Sequence, residues 1–342
     1  MFLSDSSSYE SLQHRTVPHS AEAKHLSDYE RLLVVVNPES TQAYRIQKQL
    51  VTLADRQPEH GLNIAQIESL PDSEAAREQL ARVVHEHDII GVAGGDGTVS
   101  QTMRVVYELE LNNPVLAMGG GNANDIARSL HSSAALRDPV YLLKTASTLS
   151  TIQPLRITAE RPALEDEAAK EQRLAFAYFG LGITALSAVL LNEPTHRQSF
   201  LHKIPGGRAL RETMTVGKSF KEAALITIEE PSGKQHRVAE LLVANGPRMA
   251  KFMRLPVELD DPSSRVVEVR QKYSPRTAAT LGALALGKIS GKELPEALKF
   301  TADAPTGSVI VQADGEATVF PSGTAFTVER GGRGITVLKS QK

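Results

Sequence analysis

At 342 residues the chain is long enough for two domains with separate cores. Its 38 basic and 40 acidic residues leave almost no net charge, so overall electrostatics do not favour nucleic acid as a partner. The absence of cysteine excludes disulfides, thiolate metal sites and a cysteine nucleophile, and it suits a reducing cytoplasm.

Residues 1–30 are rich in Ser, His and Glu with little apolar periodicity, and read as a flexible tail. They contain no apolar core with a cleavage site, so secretion is not expected. From Leu32 the pattern is β–α repeated. A strand Leu33–Val36 ends in Asn37-Pro38, and a helix follows with Ile46, Leu50 and Leu53 on its apolar face. A strand near Ile64–Ile67 and a helix with Leu80, Val83 and Val84 come next.

A third strand, with Ile89, Ile90 and Val92, runs into Gly94-Gly95-Asp96-Gly97-Thr98 and then a helical run with Val99, Met103 and Val106. Glycine lacks a Cβ, so an anion can approach this backbone closely. Thr98 falls where a helix N-cap is expected, aiming free amides at that anion. The plain alternative is a tight strand-to-helix turn. There is no G-x-x-x-x-G-K-[ST] lysine and no G-x-G-x-x-G spacing. A fourth strand, Pro114–Met118, leads into Gly119-Gly120-Gly121-Asn122-Ala123-Asn124-Asp125 and the helical run Ile126–Leu130, which Asn124 or Asp125 would cap. Two consecutive β–glycine turn–α units place both turns at the carboxyl ends of neighbouring parallel strands, where open α/β sheets bind ligands. That coincidence favours anion binding.

After about Ile152 the rhythm changes. Glu160–Arg173 reads as an exposed hairpin connection, and Ala175–Phe179, Ala224–Ile228, Leu241–Val243, Val266–Val269 and Ser308–Val311 read as short strands. The fold class is therefore α/β: a Rossmann-like domain with a parallel sheet over residues 31–152, then an antiparallel β domain, in sandwich form, over 153–329. The most apolar window, Ala278–Gly287, is too short for a spanning helix of about 20 residues. Lys203, Arg208 and Arg211, with Lys218 and Lys221 beyond, are either a solvated face or a clamp for phosphate or anionic lipid. Arg248–Arg254 interleaves cations with Met249, Phe252 and Met253, which suits a membrane surface or a core equally. Asp314 and Glu316 lie two apart, so on an extended strand their carboxylates face one way. Asp-Gly is also the commonest hairpin turn signal, and both readings stand.

These motifs resemble the diacylglycerol kinase catalytic family, which includes bacterial soluble lipid kinases and the sphingosine and ceramide kinases. Its GGDGT loop is matched by Gly94 to Thr98, and its G-T-x-N-D-x-A-R loop by Gly121 to Arg128, with Asn122 in place of Thr. Its Asn-Pro is matched by Asn37-Pro38 and its Asp-Gly-Glu by Asp314-Gly315-Glu316. Order and spacing agree from about Arg31 to the end. GGDGT is shared with NAD kinases, but the N-D-x-A-R continuation favours the lipid branch.

The resemblance implies an ATP- and Mg²⁺-dependent kinase acting on the hydroxyl of diacylglycerol or a related lipid alcohol. It implies a cytoplasmic protein with peripheral contact at the inner membrane face. It places the nucleotide against Asn37, Ser69, Gly94, Gly95, Asp96, Gly97, Thr98, Gly121, Asn122, Asn124 and Asp125, with Asp96 on the metal. Asp314 is then the catalytic base and Glu316 its metal or substrate partner, with the two roles exchangeable. Residues 330–342 would return to the first domain through Ile335–Val337. The chain departs from the family at Pro247–Lys251, which replaces a glycine-rich stretch. It departs again at Asp260-Asp261-Pro262, which replaces an Asp-Asp-Gly segment resembling a structural magnesium site. Two other functions stay open: a nucleotide-binding protein without transfer, and a kinase for a soluble acceptor such as NAD, which would need a polar pocket in the second domain.

Overall fold

The computed structural model describes residues 29–340 apart from 41, 57–60, 71–72, 122–123, 133–146, 163–169, 193–213, 216, 220, 250–252, 256, 271–282 and 284–290. The chain begins with β1 (Arg31–Val36), α1 (Ala43–Asp55), β2 (Asn63–Glu68), α2 (Ser73–Val83), β3 (Ile89–Ala93), α3 (Asp96–Glu108), β4 (Val115–Ala117), α4 (Asp125–Ser129) and β5 (Ser147–Ile152). It continues with β6 (Leu155–Glu160), β7 (Lys170–Ala175), β8 (Tyr178–Gly182), α5 (Ile183–Asn192), β9 (Ile226–Glu229), β10 (Gln235–Val238) and β11 (Glu240–Ala244). Then come β12 (Arg248–Met249), β13 (Met253–Arg254), β14 (Arg265–Val269), β15 (Lys292–Glu293), β16 (Ala297–Asp303), β17 (Ser308–Ala313), β18 (Glu316–Pro321), β19 (Thr324–Arg330) and β20 (Ile335–Ser340).

The first sheet has the order β2-β1-β3-β4-β20-β5. Its strands are parallel except β5, which runs antiparallel to β20. Side chains alternate across a strand, and β1 uses both faces. Leu32, Val34 and Val36 pack on Ile46, Leu50 and Leu53 of α1. Leu33 and Val35 join a core with Leu80 of α2 and Val99, Met103 and Val106 of α3. A parallel strand must be apolar wherever helices cover both its faces, which is why β3, and β1 from Leu32 onward, read as unbroken apolar runs.

Two antiparallel sheets, β10-β9-β16-β19-β6-β7 and β15-β14-β11-β8-β17-β18, form the sandwich. Their shared core holds Phe179, Leu241, Val243, Phe300 and Phe326. Phe326 stacks on Phe300 at 5.5 Å and meets Phe320 edge-on at 5.4 Å. The alternate residues of β11, Leu242 and Ala244, face the other way, into the core shared with the α/β part. One sheet of the sandwich is thus buried on both faces, and its strand ends are pressed against the carboxyl end of the parallel sheet.

Several local readings need correction. The expected strand Ala175–Phe179 is broken: β7 stops at Ala175 and β8 starts at Tyr178, because the intervening amides bond to a side chain rather than to a strand. The strands β16, β18 and β19 were not expected, since polar alternates such as Lys299, Thr327 and Glu329 dilute their apolar signal. Within the region expected as a hairpin, Glu160 pairs with Lys170 across β6 and β7. The tail residues 1–28 and most of Ala278–Gly287 lie outside the described residues. Among the described residues no helix is long and apolar enough to cross a membrane.

Glu240 is a further departure from pattern, a carboxyl only 2% exposed at the start of β11. It accepts from the Thr184 N–H at 2.8 Å and from the Thr184 hydroxyl, capping α5. Burial pushes its pKa up to about 8, against the opposing pull of those bonds. The folded protein therefore holds this proton more tightly than the unfolded chain does. Unfolding releases it at pH values between the ordinary 4.5 and about 8. The associated stability is complete below the lower value and is lost as pH rises to the upper one. Glu240→Gln keeps an acceptor for the helix amide, so its melting temperature should fall less between pH 5 and 8 than that of the parent. Equal falls in paired thermal melts would reject this account.

Candidate functional site

The two glycine turns touch. A Cβ on Gly121 would collide with the backbone of Gly95, and one on Gly120 would come within 3.1 Å of the Gly94 nitrogen. Gly120, at φ 151, also adopts a backbone conformation that L side chains rarely enter. The approach is possible only without side chains, and it forms a shallow cradle at the carboxyl ends of β3 and β4. Asn37 ends β1 beside this cradle, donating from Nδ2 to the Thr98 hydroxyl at 2.9 Å. Ser69 ends β2, its N–H bonded to the Val36 carbonyl at 2.7 Å. It lines a small open cleft with Val35, Ile67, Gln101 and Thr102.

The caps differ from those the sequence suggests. Helix α3 starts at Asp96 with Gly95 as its N-cap residue, so Thr98 lies inside the first turn. Asn124 occupies the N-cap position of α4 in a left-handed conformation, φ 53, and makes no capping bond. Its Oδ1 turns back to accept from the N–H groups of Gly120 and Gly121 at 3.1 and 2.8 Å, which stiffens the glycine turn. The carboxylate that caps α4 comes from the other turn: Asp96 Oδ1 accepts from the Ile126 N–H at 3.1 Å. Asp96 thereby ties the two turns together. Burial, then the neighbouring carboxylates of Asp125 and Asp314, raise its pKa to about 7. Asn122 lies outside the described residues.

Asp314 and Glu316 reach this place from the sandwich, but not side by side. Asp314 and Gly315, at φ 51 and 89, form the two-residue turn between β17 and β18, so the residues belong to a hairpin and their carboxylates diverge. Asp314 is 4% exposed. One of its oxygens accepts from Ser100 Oγ and the Phe176 N–H, both at 2.7 Å. The other accepts from the N–H groups of Ala177 and Tyr178 at 2.8 and 3.0 Å. The carboxylate stands in for the missing strand partner between β7 and β8. Burial pushes its pKa up, and the four bonds pull it back. The Glu316 side chain is 46% exposed and lies against α3. Its Oε1 lies 3.5 Å from the place a Cβ on Gly97 would take, and its Oε2 lies 3.7 Å from Arg104 Nη2.

Sequence reasoning did not single out Ser100, Arg104 or Tyr178. The Tyr178 hydroxyl lies 3.6 Å from a Cβ position on Gly315, and its pKa is pushed well up by burial and by Asp125, Asp96 and Asp314. An apolar strand pattern cannot distinguish such a tyrosine. Of the basic stretches, residues 201–211 lie outside the described residues, as do Lys251 and Phe252. Met249 is core and Met253 packs against it.

Among the described residues, no three acidic or histidine side chains converge into a closed metal site. Asp96, Asp125 and Asp314 crowd one another, and a divalent cation held by Asp96 would relieve that crowding, so these residues fit Mg²⁺. The segment at Asp260 does not fit a metal. Asp260 is gripped by Lys339 Nζ at 2.8 and 2.9 Å, and Asp261 accepts from Ser263. Both carboxyls are held below their ordinary pKa: burial raises that of Asp260, but the hydrogen bond and charge of Lys339 and the bond from Ser150 together outweigh it, while Asp261 is held down mainly by its bonds from Ser263.

Residues 31–156 match the model of the diacylglycerol kinase catalytic domain. No curated protein matches the chain. The fold is similar to that of a solved diacylglycerol kinase from Bacillus anthracis str. Sterne, with a TM-score of 0.55 and 16% identity over 91% of this chain and 97% of that one. Two further structures from the same organism, named provisionally as diacylglycerol kinases, give TM-scores of 0.58 at 16% identity. They cover 91% of this chain and 98% and 97% of their own. The matched segment contains the Asn37 strand end and both glycine turns, so it is residues 31–156 that are similar to a diacylglycerol kinase catalytic domain.

Proposed function

We propose that the protein is an ATP- and Mg²⁺-dependent kinase that transfers the γ-phosphate to the hydroxyl of diacylglycerol or a related lipid alcohol. The observation that carries this reading is the meeting of two touching glycine turns with an acidic hairpin from the second domain. Phosphoryl transfer needs positioning and neutralisation of charge more than covalent help from the protein. Gly94, Gly95 and Gly97 would leave backbone amides open to phosphate oxygens, while Gly121, its own amide held by Asn124, would let the second turn approach, with Asn37, Ser69, Thr98, Asn124 and Asp125 shaping the walls. Asp96 would hold Mg²⁺, which when bound offsets the phosphate charge.

Of the two acidic residues in the hairpin, Glu316 is the better base. A base must offer a lone pair to the acceptor hydroxyl, and the oxygens of Asp314 are already engaged by four donors. Asp314 instead anchors the hairpin to α3 and to the junction of β7 and β8. A narrow cleft between the two sheets, lined by Ile157, Ala159, Phe179, Val311 and Phe320 and by the polar Glu171, Arg173 and Thr318, opens at Glu316 with room inside for about one water molecule. The N-D-x-A-R continuation at Asn124 to Arg128 supports a lipid acceptor over a polar one such as NAD. A domain division at about residue 152, with β20 counted in the first unit, would put nucleotide and acceptor on opposite sides of the seam. Contact with the inner membrane face of the cytoplasm would deliver the lipid.

A panel of acceptors with labelled ATP tests the proposal. Dioleoylglycerol, a long-chain amino alcohol and NAD are presented separately, the lipids in neutral micelles and in anionic vesicles. Label is expected on a lipid hydroxyl. Label on NAD alone would overturn the lipid reading, and ATP binding without any labelled acceptor would favour a nucleotide-binding protein that lacks transfer.

A further inference from the structure

Gly97, Ser100 and Arg104 follow one another at spacings of three and four and so share one face of α3. That face meets the hairpin at each step. Glu316 Oε1 lies 3.5 Å from the Cβ position of Gly97, Ser100 Oγ donates to Asp314 at 2.7 Å, and Arg104 Nη2 lies 3.7 Å from Glu316 Oε2. The arginine is not an ordinary surface cation. Its side chain is 23% exposed, and its Nε is buried without a hydrogen-bond partner among the described residues. Leaving a charged donor unsatisfied is costly, whereas an exposed ion pair contributes little to stability. Stability alone therefore does not account for a guanidinium in this position.

We infer that Arg104 is a positioning residue that holds the Glu316 carboxylate over the first turn of α3. Glu316 opens β18 on a long, half-exposed side chain, and such a chain loses rotamer freedom only when a partner pins it. Ser100 fixes the turn through Asp314, and Arg104 fixes the carboxylate that projects from it. The pair spans the seam between α3 and the sandwich, so the base and the phosphate turn move as one body. This inference rests on the reading of Glu316 as the base.

The test uses the full chain with ATP and dioleoylglycerol in neutral micelles, and compares R104Q, R104K, E316Q and the R104Q/E316Q double variant. R104Q should lower kcat by about 10- to 10²-fold, the scale of a misplaced catalytic group, with KM for ATP changed less than about twofold. R104K should recover most of the loss. The double variant should be no slower than E316Q alone, because Arg104 acts only through Glu316. Hydrogen exchange without substrates should be faster in R104Q at the amides of residues 315–318, with an unchanged melting temperature.

Losses that add in the double variant, a rise in KM alone, or an unchanged kcat would each overturn the inference. If E316Q is fully active, the base reading fails, while the exchange measurement still decides whether Arg104 holds the hairpin. The same measurement decides if the parent does not phosphorylate dioleoylglycerol: unchanged exchange in R104Q overturns the inference. Should R104Q not fold, R104M carries the same comparison, and an unchanged kcat with unaltered exchange in that variant would overturn the inference.

Discussion

Replacing Glu316 by glutamine is expected to lower turnover by about 10²–10⁴-fold, the usual range for loss of a general base, without changing the melting temperature. The side chain is half exposed and its amide counterpart is nearly isosteric, so the fold has no reason to respond. Asp314→Asn should behave differently. Four donors converge on that buried carboxylate, and an amide can present only one accepting oxygen to them. Its NH₂ group would face two donors, leaving buried polar groups unpaired at about 1–3 kcal/mol each. Denaturant melts should therefore show marked destabilisation in Asp314→Asn and almost none in Glu316→Gln. A stable but inactive Asp314→Asn beside a fully active Glu316→Gln would return the base to Asp314.

Gly95→Val should abolish ATP binding in a folded protein. The backbone at Gly95 is extended, φ −81 and ψ −179, a conformation that a β-branched residue adopts readily. A Cβ there would stand 3.5 Å from the Gly121 Cα, an ordinary contact, so alanine is accommodated. The two γ-methyl groups of valine extend into the space between the turns, where the phosphates are proposed to lie. Calorimetry should show a loss of affinity of at least about 10²-fold for valine, since uncompensated steric exclusion forfeits most of the phosphate contacts, and a smaller loss for alanine. Retained affinity in a valine variant with a normal melt would move the nucleotide away from this cradle.

Much of the α/β part is legible in the sequence for a simple reason. A parallel strand must be apolar wherever it is covered on both faces, as β3 is throughout and β1 is from Leu32 onward. The amphipathic spacing of Ile46, Leu50 and Leu53 likewise marks the buried face of α1. The glycine runs mark turns because few other residues tolerate such close backbone approach. Local pattern carries less in the sandwich. Asp314 splits what reads as one strand, and polar alternates hide β16, β18 and β19.

What the tertiary structure alone decided is which groups meet. Ser100 and Asp314 are 214 residues apart, and Asp96 caps a helix that begins after a different glycine turn. No helical or strand period links such positions. Local sequence specified the turn residues and the apolar faces of the elements, because backbone sterics and burial act residue by residue. The divergence of Asp314 and Glu316, the reach of Arg104 and the insertion of β20 between β4 and β5 arise only when separate elements pack. Their partners are chosen by the shape of the whole fold, which brings distant residues within hydrogen-bonding range.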